Sequence, residues 1–451
     1  MNTIVAFEQA AVEELQRRAA LDPLETCASG LVAPAGARSG RPRYVVRELL
    51  PVPESAYQSR GPASATLSPS FCIELANRAR KEALGIVLAH THPGERATQA
   101  FSPIDDAGEE RVNRYFGQRI ADRFHVAAMF TSHGGQCRQL GSFDLASMQV
   151  VGKDLRWLND SLTAVREPQR RFTRQALAFG SAAQEVLGSL RVAIVGAGGT
   201  GSFVATELAY LGVEDFLLID PDVIDETNLN RLLGAMPNDI GKSKVELMSR
   251  WIRSINLDAK CEYDNGNVVD QCVAARLLDS DFIFLCTDSH ASRAVVNQIA
   301  YQYLIPCIDM GVAIHSAAGV VNHVVGRTQM LSSGLPCLVC AGWIDPNQVR
   351  IEMMSLEQRR ADPYFNLEGE GVTQPAVISL NGAVSSVAVT TFLSAVAAIP
   401  SNARMVLYDA MRGSMSPTVM TPQGGCIVCS SEGALARGDT WSLPTRRHVS
   451  H

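Results

Sequence analysis

The sequence lacks both a basic surface and a secretory signal. Its 451 residues include 40 Lys and Arg against 46 Asp and Glu, which leaves a formal charge of -6 and no Lys/Arg cluster that would form a basic groove. We therefore expect no nucleic acid partner. The N-terminal stretch MNTIVAFEQAAVEELQRRAALDP carries acids and arginines where a secretory signal needs an unbroken apolar core, so we expect a cytoplasmic protein.

Long apolar runs are also scarce. One uncharged run, Gly371 to Ala403, is long enough to suggest a membrane span, but Ser, Thr and small residues dilute its hydrophobicity. We expect it to form a buried helix, and we expect no membrane partner. The composition, 46% apolar and 19% charged, is typical of a globular protein. The length suits two domains, at roughly 150 residues per domain.

Eleven cysteines without a secretory signal favour thiols and metal ligands over a disulfide framework. They include two CxxC pairs, Cys337 with Cys340 and Cys426 with Cys429. Two intervening residues let both sulfurs of a pair turn toward one ion, so the four cysteines predict a structural zinc site that closes the loop of residues 341–425. Four buried thiols or a redox dithiol are the alternatives.

The order of the patterns predicts an α/β protein of two domains. Residues 5–20 have a helical pattern, and ETCASGLVAPAG and RPRYVVRELLPV are typical of paired strands. SPSFCIELANRARKEA has a Ser cap and a helical period, and the apolar strand LGIVLAH follows it. We expect an α+β domain over residues 1–140, a linker over 141–167, a βαβ domain over 168–435 and a mobile tail over 436–451.

The stretch HTHPGERATQAFSPID places two histidines ahead of a predicted helix start. His90 and His92 project to the same face of a strand that ends at the following Pro-Gly, so both can reach one ion. Ser102 has the position of an N-cap, and Asp105 lies in the first turn. A capped helix alone would explain SPID. If Asp105 points back to the strand end, the two histidines and this carboxylate form a three-ligand zinc site with a fourth position open.

These residues resemble the JAB/JAMM (MPN-type) metalloproteases, over about residues 5–140. Those enzymes remove ubiquitin-like proteins from other chains or trim their tails. Their motif is a glutamate, then HxH, then SxxD, and PLETCASGL supplies the glutamate as Glu25. The resemblance implies that Glu25 is the general acid/base, that Ser102 helps to stabilise the oxyanion, and that His90, His92 and Asp105 bind a catalytic zinc.

Two alternatives stay open for this domain. Glu25 could be an exposed acid at a strand edge, and the domain could be a non-catalytic scaffold that only grips its protein substrate. Nine residues separate His92 from Ser102 where the family usually has seven. Such a loop extension costs about a few tenths of a kcal/mol in closure entropy, so Asp105 can still reach the metal.

A glycine turn joins an apolar strand to a helix in RVAIVGAGGTGSFVATELAYLG. Backbone N–H groups in such a turn approach phosphate at the helix N-terminus, while the acid that ends the next strand, Asp220 in FLLID, meets ribose hydroxyls. The turn by itself would also suit an NAD-dependent oxidoreductase. Its glycines are Gly196, Gly198, Gly199 and Gly201.

The residues after Asp220 favour polyphosphate chemistry over hydride transfer. PDVIDETNLNRLLG supplies Asn228, Asn230 and Arg231, and IGKSKVE supplies Lys244. Two cations near a nucleotide neutralise the charge of a departing pyrophosphate. Asp288 follows the strand in FIFLCTDS and is suited to bind Mg²⁺, which takes carboxylate and phosphate oxygens.

Residues from Arg170 to Cys429 closely resemble the ThiF/MoeB-type adenylating family, to which the activating enzymes of ubiquitin-like proteins belong. The resemblance implies a Rossmann-like doubly wound domain with a structural zinc held by the two CxxC pairs. It also implies a homodimer in which Arg174 of RFTRQ reaches the ATP of the other subunit. The ATP pocket that it implies is lined by Gly199, Asp220, Thr227, Asn228, Asn230, Arg231, Lys244, Asp288 and Ser289.

The reaction implied is attack by the C-terminal carboxylate of a ubiquitin-like or sulfur-carrier protein on the α-phosphate of ATP. Family members that form a thioester usually have a nucleophilic cysteine between the zinc pairs, and residues 341–425 contain none. We expect the adenylate to pass to a thiol on another protein, such as a conjugating-enzyme-like protein, or to a sulfur donor. Both domains would then share one substrate class, small β-grasp proteins that end in Gly-Gly.

Overall fold

The chain forms two compact units. The computed structural model describes residues 3–94, 100–158, 169–317, 320–354, 358, 375–397 and 399–446. Residues 159–167 of the predicted linker and 447–451 of the predicted tail lie outside these ranges. The first unit consists of Met1–Thr163, Gln302–Leu304 and Ser431–Ser442, and the second unit of Ala164–Tyr301, Ile305–Ser430 and Leu443–His451.

A sheet that closes on itself forms the body of the first unit. Its strands are β1 (Ile4–Glu8), β2 (Cys27–Arg38), β3 (Arg41–Val46), β4 (Leu50–Pro51), β5 (Tyr57–Arg60), β6 (Ala65–Leu67), β7 (Gly85–Thr91), β8 (Val126–Phe130), β9 (Gly135–Gln139), β10 (Leu145–Val151) and β11 (Leu155–Trp157). The order is β1-β3-β2-β7-β8-β9-β10-β11, and β10 also pairs with β1. β4 pairs with β2, and β5 and β6 form a separate hairpin. The helices of this unit are α1 (Gln9–Leu21), α2 (Pro69–Glu82) and α3 (Pro103–Arg119).

Two of the predicted elements of this unit are confirmed. Helix α2 begins after Ser68, whose Oγ accepts a hydrogen bond from the N–H of Phe71 at 3.4 Å, as its Ser cap predicts. Strand β7 is the predicted apolar strand, and it pairs with β2 on one side and β8 on the other. His90 therefore lies inside the sheet, and His92 directly follows the end of β7.

The helix predicted for residues 5–20 is wrong in its first part. Residues Ile4–Glu8 form β1, and the helix begins only at Gln9. β1 lies between β3 and β10, where Val5 and Phe7 are fully buried. A strand that is buried on both faces is apolar throughout, so it shows no alternation that would distinguish it from a helical pattern.

The linker predicted for residues 141–167 differs from the structure in its described part. This part contains β10 and β11, and β10 closes the sheet by pairing in parallel with β1. Met148, Val150 and Val151 of β10 are fully buried. Its partner β1 lies more than 130 residues earlier in the chain, so no local sequence pattern predicts this pairing.

The tail predicted over residues 436–451 begins inside the first unit. Gly438 packs against β2, since a Cβ atom at this position would lie 2.2 Å from the carbonyl oxygen of Pro34. The carboxylate of Asp439 accepts a hydrogen bond from the N–H of Gly36 at 3.1 Å. The segment shows no periodic pattern in sequence, and for that reason the sequence predicts a mobile tail. In the structure, these contacts hold its first part in place.

A doubly wound sheet forms the body of the second unit, as the sequence predicts. Its strands are β12 (Arg191–Val195), β13 (Asp215–Ile219), β14 (Lys260–Asp264), β15 (Phe282–Leu285), β16 (Cys307–Ala317), β17 (Val320–Leu331), β18 (Met405–Asp409) and β19 (Ser414–Pro417). The order is β14-β13-β12-β15-β16-β17-β18-β19. The neighbouring strands from β14 to β16 in this order pair in parallel. The pairs β16–β17, β17–β18 and β18–β19 are antiparallel. The strand order reverses between β12 and β15, where open sheets of this kind bind ligands.

Helices cover this sheet, and one of them is strongly apolar. The helices are α4 (Thr173–Phe179), α5 (Ser181–Ser189), α6 (Gly199–Leu211), α7 (Lys244–Ile255), α8 (Gln271–Arg276), α9 (His290–Gln302), α10 (Pro346–Met353) and α11 (Ile378–Val396). By length and composition, α11 is the one helix in the described ranges that could cross a membrane. It packs against α6, β16 and β17, and half of the residues in its apolar stretch are buried.

We expect Gly438→Ala to lower the free energy of unfolding by about 2 kcal/mol or more, because the residue has φ +51° and its Cβ would collide with the backbone of β2. Gly424→Ala is the matched control, since a Cβ there meets nothing within 4 Å. Urea denaturation of both variants measures the difference. Equal stability of the two would contradict the placement of residues 431–442 in the first unit.

Candidate functional site

The glycine turn of the second unit leaves no room for side chains. Gly196 directly follows β12 with φ +98°, and a Cβ there would lie 2.8 Å from the carbonyl group of Cys286. A Cβ on Gly201 would lie 1.9 Å from the carbonyl oxygen of Gly196. Gly198 is the N-cap of α6, so the N-terminus of this helix opens directly from the turn. Such a terminus attracts anions because its first N–H groups have no partner within the helix.

A cavity of about 670 Å³ lies beside the turn, at the carboxyl ends of the parallel strands. The structure brings together most of the residues predicted for the nucleotide site. The cavity is lined by Gly196, Gly198, Gly199, Asp220, Thr227, Asn228, Arg231, Lys244, Asp288 and Ser289.

Three predicted residues lie outside this lining. Gly201 packs inside the turn, as described above. Asn230 is exposed, and its Oδ1 accepts a hydrogen bond from Nη1 of Arg231 at 3.2 Å. Arg174 is exposed on α4, and its contact with the ATP of another subunit stays a prediction.

Asp220 holds the cavity wall together. It is 6% exposed, and its two carboxylate oxygens accept hydrogen bonds from the N–H of Ala197 at 2.6 Å and the N–H of Asp222 at 2.8 Å. Burial raises the pKa of Asp220, and the charge of Lys244 opposes this shift. The acid thus fixes the glycine turn as well as lining the cavity.

Both predicted cations face the cavity and have acceptors close by. Nζ of Lys244 forms an ion pair with the carboxylate of Asp222 at 2.7 Å. The guanidinium of Arg231 donates to the carbonyl of Thr227. The sequence interpretation missed Asp222, although it stands only two residues after Asp220 in the same turn.

The Asp288–Ser289 turn approaches the cavity from β15. Asp288 is exposed and lines the cavity. One carboxylate beside space for phosphates fits the usual environment of Mg²⁺. Ser289 Oγ donates to a carboxylate oxygen of Glu352 in α10 at 2.6 Å, and the N–H of Ala291 donates to the same oxygen at 2.7 Å. Sequence reasoning missed Glu352, because it lies far from Ser289 in the chain.

The two CxxC pairs meet in one buried cluster. The sulfurs of Cys337 and Cys426 are 3.6 Å apart, and those of Cys340 and Cys429 are 3.4 Å apart. Sulfurs bound to zinc at about 2.3 Å lie about 3.8 Å apart in a tetrahedron, so the cluster fits a structural zinc. All eleven cysteines lie in the described ranges, and none of them forms a disulfide bond.

The predicted ligands of the first unit also meet. Nε2 of His90 lies 3.1 Å from Oδ1 of Asp105, and Nε2 of His92 lies 3.4 Å from Oδ2. The two histidine Nε2 atoms are 3.1 Å apart. Tetrahedral ligands at about 2.0–2.1 Å from zinc lie about 3.4 Å apart, so this donor set fits the ion.

A capping box orients Asp105. Ser102 Oγ accepts a hydrogen bond from the N–H of Asp105, and the Asp105 carboxylate accepts one from the N–H of Ser102. The capped helix and the ligand set predicted for this stretch therefore coexist. Ser102 acts here as a cap and is not among the residues that line the adjoining cavity.

Glu25 is buried rather than exposed at a strand edge, so that alternative is wrong. It is 5% exposed and lines a cavity of about 500 Å³ together with His90 and Asp105. Burial raises its pKa, and the charges of His90 and His92 oppose the shift. The carboxylate that the motif requires thus lies in the same cavity as two of the predicted zinc ligands.

The family comparison matches residues that lie mainly in the second unit. A family model described as the ThiF family matches residues 172–428, more than half of the chain. Over 91 residues the chain is 45% identical to the tRNA threonylcarbamoyladenosine dehydratase of Bacillus subtilis, a match that covers 20% of this chain and 35% of that protein.

Two further relatives match a longer part of the chain. Ubiquitin-like modifier-activating enzyme 5 of Xenopus laevis is 25% identical over 255 residues, which cover 54% of this chain and 59% of that protein. The adenylyltransferase and sulfurtransferase UBA4 of Meyerozyma guilliermondii is 26% identical over 220 residues, which cover 48% and 50%. The chain thus spans 35–59% of the length of these three relatives.

We expect two zinc ions per chain in protein purified without chelators, because both donor sets fit the ion. His92→Ala should remove one ion and Cys429→Ser the other, as measured by plasma mass spectrometry of the purified variants. Cys272→Ser, at an exposed thiol, is the control and should retain both. A zinc content that His92→Ala leaves unchanged would contradict the site in the first unit.

Proposed function

The chain belongs to the ThiF family, and we propose on this basis that its second unit adenylates the C-terminal carboxylate of a ubiquitin-like or sulfur-carrier protein that ends in Gly-Gly. The observation that carries the proposal is the single cavity that the glycine turn, Asp220, Arg231 and Lys244 line together. The names of two relatives, a ubiquitin-like modifier-activating enzyme and an adenylyltransferase, support the same chemistry. Family membership also favours adenylation over the hydride transfer that the glycine turn alone would allow.

The reaction needs positioning and neutralisation of charge more than covalent chemistry from the protein. A carboxylate oxygen of the carrier forms a bond to the α-phosphorus of ATP while the bond from this phosphorus to the oxygen bridging to the β-phosphate breaks. Pyrophosphate leaves with the electron pair. Lys244 and Arg231 stabilise the charge that develops on it. The N-terminus of α6 binds phosphate oxygens, and Asp288 binds Mg²⁺, which supplies further charge neutralisation.

The adenylate leaves this chain without forming a thioester on it. Residues 341–425 contain no cysteine. Cys286 borders the cavity, but burial raises its pKa well above the usual range, which disfavours the thiolate. A thiol on a conjugating-enzyme-like protein, or a sulfur donor, therefore accepts the acyl group.

The first unit acts on the same carrier as a JAB/JAMM-type zinc metalloprotease. His90, His92 and Asp105 hold the zinc, which supplies Lewis-acid chemistry at the scissile carbonyl. Glu25, in the same cavity, moves the proton from the attacking water to the leaving amine. Ser102 caps α3 and thereby orients Asp105. Trimming exposes the Gly-Gly tail that the second unit activates, or reverses its later attachment.

A homodimer in the cytoplasm completes the proposal, with Arg174 reaching the ATP of the other subunit. The alternative for the first unit is a non-catalytic scaffold that grips the carrier. The cavity that Glu25 shares with His90 and Asp105 favours the protease, because a gripping surface alone needs no buried acid beside a metal site.

We expect Lys244→Ala and Arg231→Ala each to lower kcat/KM for carrier-dependent ATP–pyrophosphate exchange by about 10²- to 10³-fold, since each removes a charge aimed at the leaving group. Lys260→Ala, at an exposed lysine on β14, should leave the exchange unchanged. Exchange assays with purified Gly-Gly-tailed carriers measure the effect. Full activity in both cavity variants would reject the proposed adenylation site.

We expect Glu25→Gln to lower cleavage of a carrier fused through its Gly-Gly tail by about 10²-fold or more while the zinc content stays at two, because the amide cannot move the proton. Glu110→Gln, at an exposed acid on α3, is the control. Gel analysis of the fusion follows the cleavage. Loss of zinc together with activity would assign Glu25 to metal binding, and no cleavage by the unaltered protein would favour the scaffold.

A further inference from the structure

One guanidinium in the wall of the nucleotide cavity has no role in the chemistry above. Arg293 lies in the first turn of α9, and its side chain is 13% exposed. Nε donates to the carboxylate of Asp309 at 3.1 Å, and Nη1 donates to the backbone carbonyl of Asp288 at 3.3 Å. Arg293 therefore connects a buried acid to the residue suited to bind Mg²⁺.

Asp309 anchors this guanidinium from the core of the unit. It lies in β16 and is fully buried, and its second carboxylate oxygen pairs with Arg327 of β17. The guanidinium of Arg327 in turn lies 4.6 Å from the ring centroid of Trp343. A buried carboxylate without partners is strongly destabilising. Asp309 therefore holds the guanidiniums of Arg293 and Arg327 in place. The orientation of the Arg293 side chain is set by this buried ion pair.

The space for Arg293 depends on Gly311. Residues two apart in a strand face the same side, so Gly311 lies beside Asp309 on the face of β16 that meets Arg293. A Cβ on Gly311 would lie 3.0 Å from Nη2 of Arg293. A side chain at this position would crowd Nη2 and require the guanidinium to shift by a few tenths of an ångström.

The Asp288–Ser289 turn is held from two directions. Arg293 binds the carbonyl of Asp288, and Glu352 binds the hydroxyl of Ser289. We propose that Arg293 is a positioning residue that sets the Mg²⁺ affinity of the nucleotide site by holding this turn at the cavity wall. The inference rests on the proposed adenylation, in which Asp288 binds Mg²⁺. Removal of a group that orients a metal ligand typically lowers metal affinity by about 10- to 100-fold.

The test uses Arg293→Lys in the full chain. Lysine keeps the charge that Asp309 requires, but its single nitrogen cannot contact Asp309 and the Asp288 carbonyl in the way that a planar guanidinium does. Titration calorimetry measures the Mg²⁺ midpoint for ATP binding and, in separate runs without Mg²⁺, the affinity for AMP. We expect the midpoint to rise about tenfold or more while AMP affinity stays within about twofold.

Gly311→Ala is the second variant, because it keeps every ion pair and crowds the guanidinium. It should raise the Mg²⁺ midpoint in the same direction. Gly311 also lines the cavity, so the AMP affinity of this variant measures any direct steric effect of the methyl group on the nucleotide. Arg276→Ala is the matched control, since Arg276 pairs with Glu262 and Asp264 away from the cavity lining and should change neither quantity.

Two outcomes would overturn the inference. One is an unchanged Mg²⁺ midpoint in Arg293→Lys and Gly311→Ala. The other is a loss of AMP affinity as large as the loss of Mg²⁺ affinity, which would make Arg293 a nucleotide ligand. Failure of the proposed function has a different signature: the unaltered protein would bind ATP with Mg²⁺ but show no exchange with any Gly-Gly-tailed carrier.

Discussion

Two hydrogen bonds accepted by Asp220 join the parts from which the nucleotide cavity is built. One carboxylate oxygen binds the N–H of Ala197 in the glycine turn, and the other binds the N–H of Asp222, whose side chain pairs with Lys244. The glycine turn and the Lys244 cation are therefore both tied to one buried acid. Because desolvation disfavours its charge and Lys244 compensates, the acid and the cation depend on each other.

The sequence was sufficient to predict those parts of the candidate sites whose residues are close together in the chain. The glycine turn, the HxH pair and the capped start of α3 are local patterns with a stereochemical cause, and each lies where its pattern predicts. The CxxC pairs were predictable for a similar reason. Each pair has a spacing that suits one ion, and the two distant pairs meet in a cluster whose sulfur separations fit that ion.

The rest depends on contacts between distant parts of the chain. β1 resembles a helix in sequence because it is apolar on both faces, and only its neighbours β3 and β10 make it a strand. β10 and the segment around Gly438 were missed for the same reason. In the cavity, Glu352 binds Ser289 from 63 residues further along the chain. Arg293 lies only five residues after Asp288, but its direction depends on Asp309 in β16. Neither Glu352 nor Arg293 was singled out from the sequence, because its role depends on the residues that it contacts in the folded chain and not on its distance from them along the sequence.

The composition of the first unit from three stretches of chain affects how the protein is made. A ribosome that has completed Met1–Thr163 has still to add Gln302–Leu304 and Ser431–Ser442. The contacts of the first unit are therefore complete only after Ser431–Ser442 has been synthesised. A break in the chain between Thr163 and Ser431 would separate the barrel from at least one of these later segments, so Met1–Thr163 alone does not make up the whole first unit.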